Sequence, residues 1–295
     1  MVTIVDMREE IKAGNYSILN TDLQTALRNT LKKNKQAILF INRKGLSTGL
    51  LCRDCGHIVK CPNCDVPVVF HGNTINCHHC GLKQKPPSVC PACESYRIKF
   101  IGTGTQRVEQ ELIKLLGNNM AEKIVRLDTD IAPTWEAQKK VFKNFSKKKA
   151  NILIGTQLML KSASLPENIA LSVIITIDPM LGLPDFRMHE YVLSIIAKLK
   201  TVSKKVVLQT YIPDNKIIEN ISLPISTILK IELRDRKELS LPPFSQIIKL
   251  TYAHKDIQKA ESEAKLLKNK LQVQAVNCQL SIVSCQILGP APAFI

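Results

Sequence analysis

Between residues 52 and 93 the chain places four Cys-x-x-Cys pairs: Cys52/Cys55, Cys61/Cys64, Cys77/Cys80 and Cys90/Cys93. A Cys-x-x-Cys turn aims two thiolates at one point, and two such turns complete a tetrahedral sulfur site with Zn–S distances of about 2.3 Å. Four pairs therefore close two sites, and they tie this stretch around metal rather than around a large apolar core. The residues that follow suit tight turns, with Cys-Gly at 55–56 and 80–81 and Cys-Pro at 61–62 and 90–91. Disulfides and buried free thiols are the competing uses. Disulfide frameworks belong to oxidising compartments, and the segment after Met1 lacks a charged-then-apolar secretory pattern. Structural zinc in a cytoplasmic protein is the reading. His57, His71, His78 and His79 lie nearby, but eight thiolates already close two sites, so these histidines are read as non-ligands. Spacing permits both nested and sequential combination of the pairs.

The rest of the chain has to carry this segment. Its 295 residues are 45% apolar, enough for a sizeable core, and no apolar run approaches the ~20 residues that span a bilayer. Strand signals alternate with helix signals. Val2-Thr3-Ile4-Val5-Asp6 reads as a strand or extended entry to a polar loop, and a helix from Asp22 carries Leu23, Ala26, Leu27 and Leu31 on one face. Ala37-Ile38-Leu39-Phe40-Ile41-Asn42 is the continuous apolar run of a strand buried on both faces. After the cysteines come strands at residues 98–101, 123–128, 151–156, 171–178 and 206–210. Helices are expected over residues 106–116 and 134–148 and after Pro184-Asp185-Phe186-Arg187. Such alternation argues for α/β architecture, a parallel sheet with helices on both faces. Residues 215–240 read as helical and polar, and Leu241-Pro242-Pro243-Phe244 marks a boundary. Beyond it a strand at Ile247-Ile248-Lys249-Leu250-Thr251 is expected. A helix with Ile257, Ala260, Ala264, Leu267 and Leu271 on one stripe follows, then a strand at Leu280-Ser281-Ile282-Val283. These make a truncated α+β domain.

Charge points to the partner. Forty-one Lys and Arg against 25 Asp and Glu leave a formal charge of +16, which favours a polyanion through counterion release, although lysines also fill solvated helix faces. Lys139, Lys140, Lys143, Lys147, Lys148 and Lys149 crowd one helix end, and Lys198, Lys200, Lys204 and Lys205 form a second group. Aromatics are scarce at 5%, so binding rests on phosphates, with steep salt dependence and little base preference.

Several motifs in this order resemble the PriA family of bacterial replication-restart helicases of superfamily 2. They are the four-pair block with Cys77-His78-His79-Cys80-Gly81, Leu39-Phe40-Ile41-Asn42-Arg43-Lys44-Gly45 and Gly102-Thr103-Gly104-Thr105-Gln106-Arg107-Val108-Glu109. Ile154-Gly155-Thr156-Gln157, Pro184-Asp185-Phe186-Arg187, Leu208-Gln209-Thr210 and Leu241-Pro242-Pro243-Phe244 follow. The resemblance runs from about Val5 to the C-terminus. It implies a RecA-like second helicase lobe over residues 1–51 and 94–214, and an inserted two-zinc module of two four-cysteine sites over 52–93. A helical linker over 215–240 and a truncated C-terminal domain over 241–295 complete it. It also implies nested sites, with Cys52, Cys55, Cys90 and Cys93 on one ion and Cys61, Cys64, Cys77 and Cys80 on the other. Gly102, Thr103, Gly104, Thr105, Thr156 and Gln157 become candidate contacts to DNA phosphates. Forked DNA and primosome proteins become the implied partners.

The sequence departs from the family where ATP would be used. No Gly-x-x-x-x-Gly-Lys-Ser/Thr loop occurs, and no acidic Mg²⁺ box precedes the cysteines. Where the family carries two arginines, this chain reads Ser194-Ile195-Ile196-Ala197-Lys198-Leu199-Lys200-Thr201, and the family's Lys-Gly-His/Asp stretch becomes Lys161-Ser162-Ala163-Ser164. An arginine finger is worth ~10³–10⁵ in comparable NTPases, and lysine lacks its bidentate fork. The expectation is a chain that hydrolyses no ATP alone and meets ATP and Mg²⁺ only with a separately encoded first lobe. A non-enzymatic zinc-ribbon module for DNA or protein partners, or a degraded gene fragment, is the alternative. Asp128, Asp130, Asp178 and Asp185 lack a matching base or nucleophile and are read as structural, with Asp185 and Arg187 pairing at a helix start. Cys278 and Cys285 are read as ordinary core cysteines.

Overall fold

The computed structural model describes residues 2–42, 49–63, 67–71, 73–77, 80–101, 104–161, 165–183, 185–277 and 287–290. Two sheets organise it. The larger has six strands, all parallel, in the order β1-β11-β10-β2-β9-β8. These are β1 (Val2–Asp6), β2 (Ala37–Phe40), β8 (Ile124–Leu127), β9 (Ile152–Gly155), β10 (Leu171–Ile174) and β11 (Val206–Thr210). The smaller is antiparallel in the order β6-β5-β4-β3-β7. It is built from β3 (Gly49–Cys52), β4 (Val69–His71), β5 (Thr74–Asn76), β6 (Lys83–Gln84) and β7 (Ile98–Ile101).

The apolar run at 37–41 becomes the middle of the parallel sheet, with Ala37 in register with Leu171 on one side and Ile152 on the other. Every side chain from Ala37 to Ile41 is fully buried. The pleat sends Ile38 and Phe40 to one face, with Phe142 and Phe145 of α4 (Trp135–Ser146) and Val192 and Ile196 of α7 (Met188–Val202). Ala37, Leu39 and Ile41 go to the other, with Leu23 and Leu27 of α2 (Thr21–Lys32) and Val108 and Leu112 of α3 (Thr105–Leu116). Helices on both faces are what a strand without hydrophobic alternation requires. Among the described residues, no helix is long and apolar enough to cross a membrane.

Four local features differ from expectation. Residues 7–12, read as loop, form α1 (Met7–Lys12), because Asp6 accepts the Arg8 amide at 2.9 Å as a cap and Met7 and Ile11 share one buried face. The strand expected to run to Asp178 stops at Ile174, and Asp178 opens the short α6 (Asp178–Leu181). No strand forms at 247–251, where Ile248 is 81% exposed. A β-run without a neighbouring ladder leaves its amides to water, whatever its propensity. The amphipathic helix α10 (Ile257–Asn277) does form, yet Leu267 on its stripe stays 40% exposed. The strand expected at 280–283, together with Cys278 and Cys285, lies outside the described residues.

Candidate metal centre

The smaller sheet brings the cysteines together. β3, the next strand after β2, pairs antiparallel with β7, with Cys52 opposite Ile98 and Gly49 opposite Ile101. Zipping the two ends of the insertion places its first Cys pair beside its last. Cys52 Sγ lies 3.6 Å from Cys93 Sγ and Cys55 Sγ 3.7 Å from Cys90 Sγ, and all four sulfurs fall within 4.8 Å of one another. Further out, Cys61, Cys77 and Cys80 form a second group, with Cys61 Sγ 3.5 Å from Cys80 Sγ. Cys64, the fourth expected member, lies outside the described residues, as do His78 and His79.

The spacing fits a metal and not a disulfide. A tetrahedron with ~2.3 Å Zn–S bonds has sulfur–sulfur edges of about 3.8 Å, whereas a disulfide needs about 2.05 Å. The backbone repeats one turn at each knuckle. Gly56 N donates to Cys52 O at 3.0 Å, Gly81 N to Cys77 O at 2.9 Å and Glu94 N to Cys90 O at 2.9 Å. The residue closing each turn has positive φ: Gly56 +76°, Gly81 +76° and Glu94 +58°. Burial pushes the Cys55 thiol up to about 12, so a cation there must displace a proton to gain that thiolate.

The cysteine-bearing insertion sits against the carboxyl edge of the parallel sheet. A Cβ on Gly56 would collide with the Tyr211 carbonyl, and one on Gly182 would lie 3.0 Å from Pro67 Cγ and 3.8 Å from Ile58 Cδ1. These close approaches set the insertion on the loops after β11 and α6.

The other candidates resolve differently. Gly102 and Thr103 lie outside the described residues, and Gly104 forms the extended cap of α3. The Thr105 hydroxyl is buried and donates to Asp128 Oδ2 at 2.5 Å, which leaves only its backbone for an outside ligand. Asp128 also accepts the Asp130 and Ile131 amides at 3.0 Å. Burial opposes its charge, but the Thr105 hydroxyl, the Ile131 amide and Arg126 together hold the carboxyl below its usual range. Asp128 is thus a bolt between β8 and α3. Gln157, at the start of α5 (Gln157–Lys161), donates to Asn42 Oδ1 at 2.9 Å and links the ends of β9 and β2, with Thr156 half-buried beside it. Asp178 is buried and accepts from Thr210 Oγ1 and Tyr211 N, both at 2.7 Å, and desolvation raises it to about 6. Asp185 pairs with Arg187 Nε at 3.2 Å. Among the described residues, only the cysteine clusters gather three or more metal-ligating side chains. Lys198 Nζ donates to the Leu160 carbonyl at 2.5 Å, a commitment that its place in a basic run did not reveal.

Comparison with known proteins gives these features a family. The Cys-rich region (CRR) domain of the PriA DNA helicase matches residues 61–85, a span that contains all of the inner four cysteines. The replication restart protein PriA of Bacillus subtilis is 35% identical over 98% of this chain and 36% of its own length. That of Synechocystis is 34% identical over 100% of this chain and 36% of its own length. The Borreliella burgdorferi protein is 33% identical over 89% and 39%. The chain therefore spans little more than a third of the curated relatives it matches. Among solved structures, the yeast DEAD-box splicing factor Prp28 covers 87% of this chain and 38% of its own, at 14% identity and a TM-score of 0.33. The Pyrococcus furiosus Hef helicase domain covers 64% and 24%, at 12% identity and a TM-score of 0.32. Such low scores leave the fold to be described by its own strand order. Over nearly its whole length the chain matches the C-terminal part of PriA replication restart proteins, and it carries the Cys-rich region of that family.

Proposed function

We propose that this chain supplies the second helicase lobe and the zinc-bearing contact module of a cytoplasmic replication-restart machine. On its own it binds DNA and primosome proteins without hydrolysing ATP. The observation that carries this reading is the nested grouping of cysteines on a β3/β7 stem set against the carboxyl edge of a parallel sheet. The lobe takes residues 1–51 and 94–214, the module 52–93, the linker 215–240 and a C-terminal domain from 241 to 295. Two zinc ions are held, one by Cys52, Cys55, Cys90 and Cys93, the other by Cys61, Cys64, Cys77 and Cys80. Zinc here crosslinks the chain and has no open coordination position for catalysis. Forked DNA is bound mainly through its backbone, with the amides of Gly102, Thr103, Gly104 and Thr105 and the segment Thr156-Gln157 as contacts.

The inactivity of the isolated chain rests on chemistry. No P-loop occurs, and the lysine nearest the family's lost arginine, Lys198, is bonded to the Leu160 carbonyl. ATP and Mg²⁺ become relevant only where a first helicase lobe provides the phosphate cradle. Metal analysis of the purified chain should give two zinc ions per chain, and none on variants with all eight cysteines changed to serine. A labelled fork should bind with a steep salt dependence, and ATPase with single-stranded DNA should stay at background. Turnover of ATP by the chain alone would refute the inactive reading, and absence of metal would refute the zinc assignment.

A further inference from the structure

A recess lies between the stem of the insertion and the carboxyl edge of the parallel sheet, the edge where α/β proteins place ligands. Its rim carries Arg53 just after β3, Lys99 on β7 and Arg107 on α3, three cations from three separate elements. None of the three charged groups makes an ion pair or side-chain hydrogen bond with any described residue, in contrast to Arg97, which pairs with Asp54 at 3.3 Å. Arg53 and Arg107 both act on the phenol of Tyr211, which also lines the recess. Its wall holds Thr176, 7% exposed, whose hydroxyl is buried without a hydrogen-bond partner. A buried hydroxyl without a partner is costly to keep, so such a group points to a ligand that satisfies it. The neighbouring Gln209 does not share this state, since its amide is spent on the Ile18 carbonyl at 2.8 Å and the Asn20 amide at 2.9 Å.

We infer that this recess is a phosphate-binding site, with Arg53, Lys99 and Arg107 neutralising the anion and the Thr176 and Tyr211 hydroxyls bonding its oxygens. Phosphate is the favoured anion because it offers several oxygens at once, to guanidinium forks, an ammonium and hydroxyls together. Walls of low polarizability on both sides focus the field of the three cations into the cleft. The inference rests on the nucleic-acid reading above and adds to it residues from both the insertion and the lobe. One phosphate would then bridge the two.

The test uses the intact, zinc-loaded chain. Lys99→Ala/Arg107→Ala is compared with Lys259→Ala/Lys270→Ala, which removes equal charge from α10. Zinc content and thermal midpoint are measured for each. Binding of fluorescein-labelled oligo(dT) is followed by anisotropy from 50 to 200 mM salt, about the range over which counterion release is read. Removing the two cations should weaken binding and lower the salt slope by about 0.7 for each phosphate no longer neutralised, with the control unchanged. Thr176→Val, which keeps shape and charge, should weaken binding while leaving the slope intact. Inorganic phosphate is tested in parallel by thermal shift. A shift in wild type that the first double variant loses, with oligonucleotide binding unaltered, would assign the site to free phosphate groups. If the double variant matches wild type in both assays with zinc intact, the site does not exist. If wild type fails to bind oligo(dT), the nucleic-acid reading falls and the phosphate shift alone decides the recess.

Discussion

Asp178 carries a cost that pH can expose. Its carboxyl is buried beneath the loop after β11, and desolvation lifts it to about 6 from an ordinary 3.8, despite two hydrogen bonds. Because the native state holds this proton more tightly than the unfolded chain, its contribution to stability is fully present below about pH 3.8. It is then lost as pH rises to about 6. The loss is on the order of 3 kcal/mol, at about 1.4 kcal/mol per pH unit. Asp128 and Glu10, held below their usual range, work in the opposite sense, so the informative quantity is a difference. Between pH 4 and 6.5 the unfolding free energy of Asp178→Asn should gain on wild type by most of that amount. A pH-independent difference between the two proteins would remove Asp178 from this account. Beside the edge strand β8, Thr105→Val strips a buried carboxylate of its hydroxyl donor and should cost about 1–3 kcal/mol in urea unfolding. Motif reading had offered Thr105 to DNA, and only the fold shows its hydroxyl facing inward.

Elements differ in what holds them. The two clusters that flank the parallel sheet contain no cysteine, whereas the small cluster in the insertion includes Cys61 and Cys77 with Leu50, Val59, Val68 and Ile75. Removing zinc should therefore open one unit and spare the other. After chelation, or in Cys90→Ser, amide exchange should accelerate across residues 49–101 while β2, β9 and β10 stay protected. Global loss of protection would mean that the metal also supports the lobe. Within the sheet, Phe40→Ala should cost about 3–5 kcal/mol, since Phe40 is wholly buried in its central strand. Ile248→Ala should stay within about 0.5 kcal/mol, because that side chain is 81% exposed in a segment without a strand partner. Composition alone would have ranked these two apolar runs as equals.

At the scale of the molecule, placement of the insertion on the lobe depends on Gly56. It needs positive φ to close the first knuckle and no side chain to clear the Tyr211 carbonyl. Gly56→Ala should retain zinc, yet raise protease sensitivity at the stem and lower the thermal midpoint. An unchanged midpoint would show that this docking is not made in solution. Much of the architecture was legible beforehand. The apolar run at 37–42, the strand–helix alternation to residue 210 and the Cys-x-x-Cys spacing are local patterns, and burial on both faces or tetrahedral ligation leaves few other uses for them. Where local pattern needed a distant partner, the sequence was silent or misleading. Residues 247–251 have strand composition without a ladder, and residues 7–12 needed Asp6 to cap them and a core to receive Met7 and Ile11. The cysteine block by itself pointed to metal ligation as what organises residues 52–93. Which pairs meet was decided by β3 and β7 zipping the ends of the insertion together. That same pairing, with the packing of Gly56 on Tyr211, brings Arg53, Lys99 and Arg107 to one recess, because contacts between residues far apart in sequence exist only once the backbone has closed.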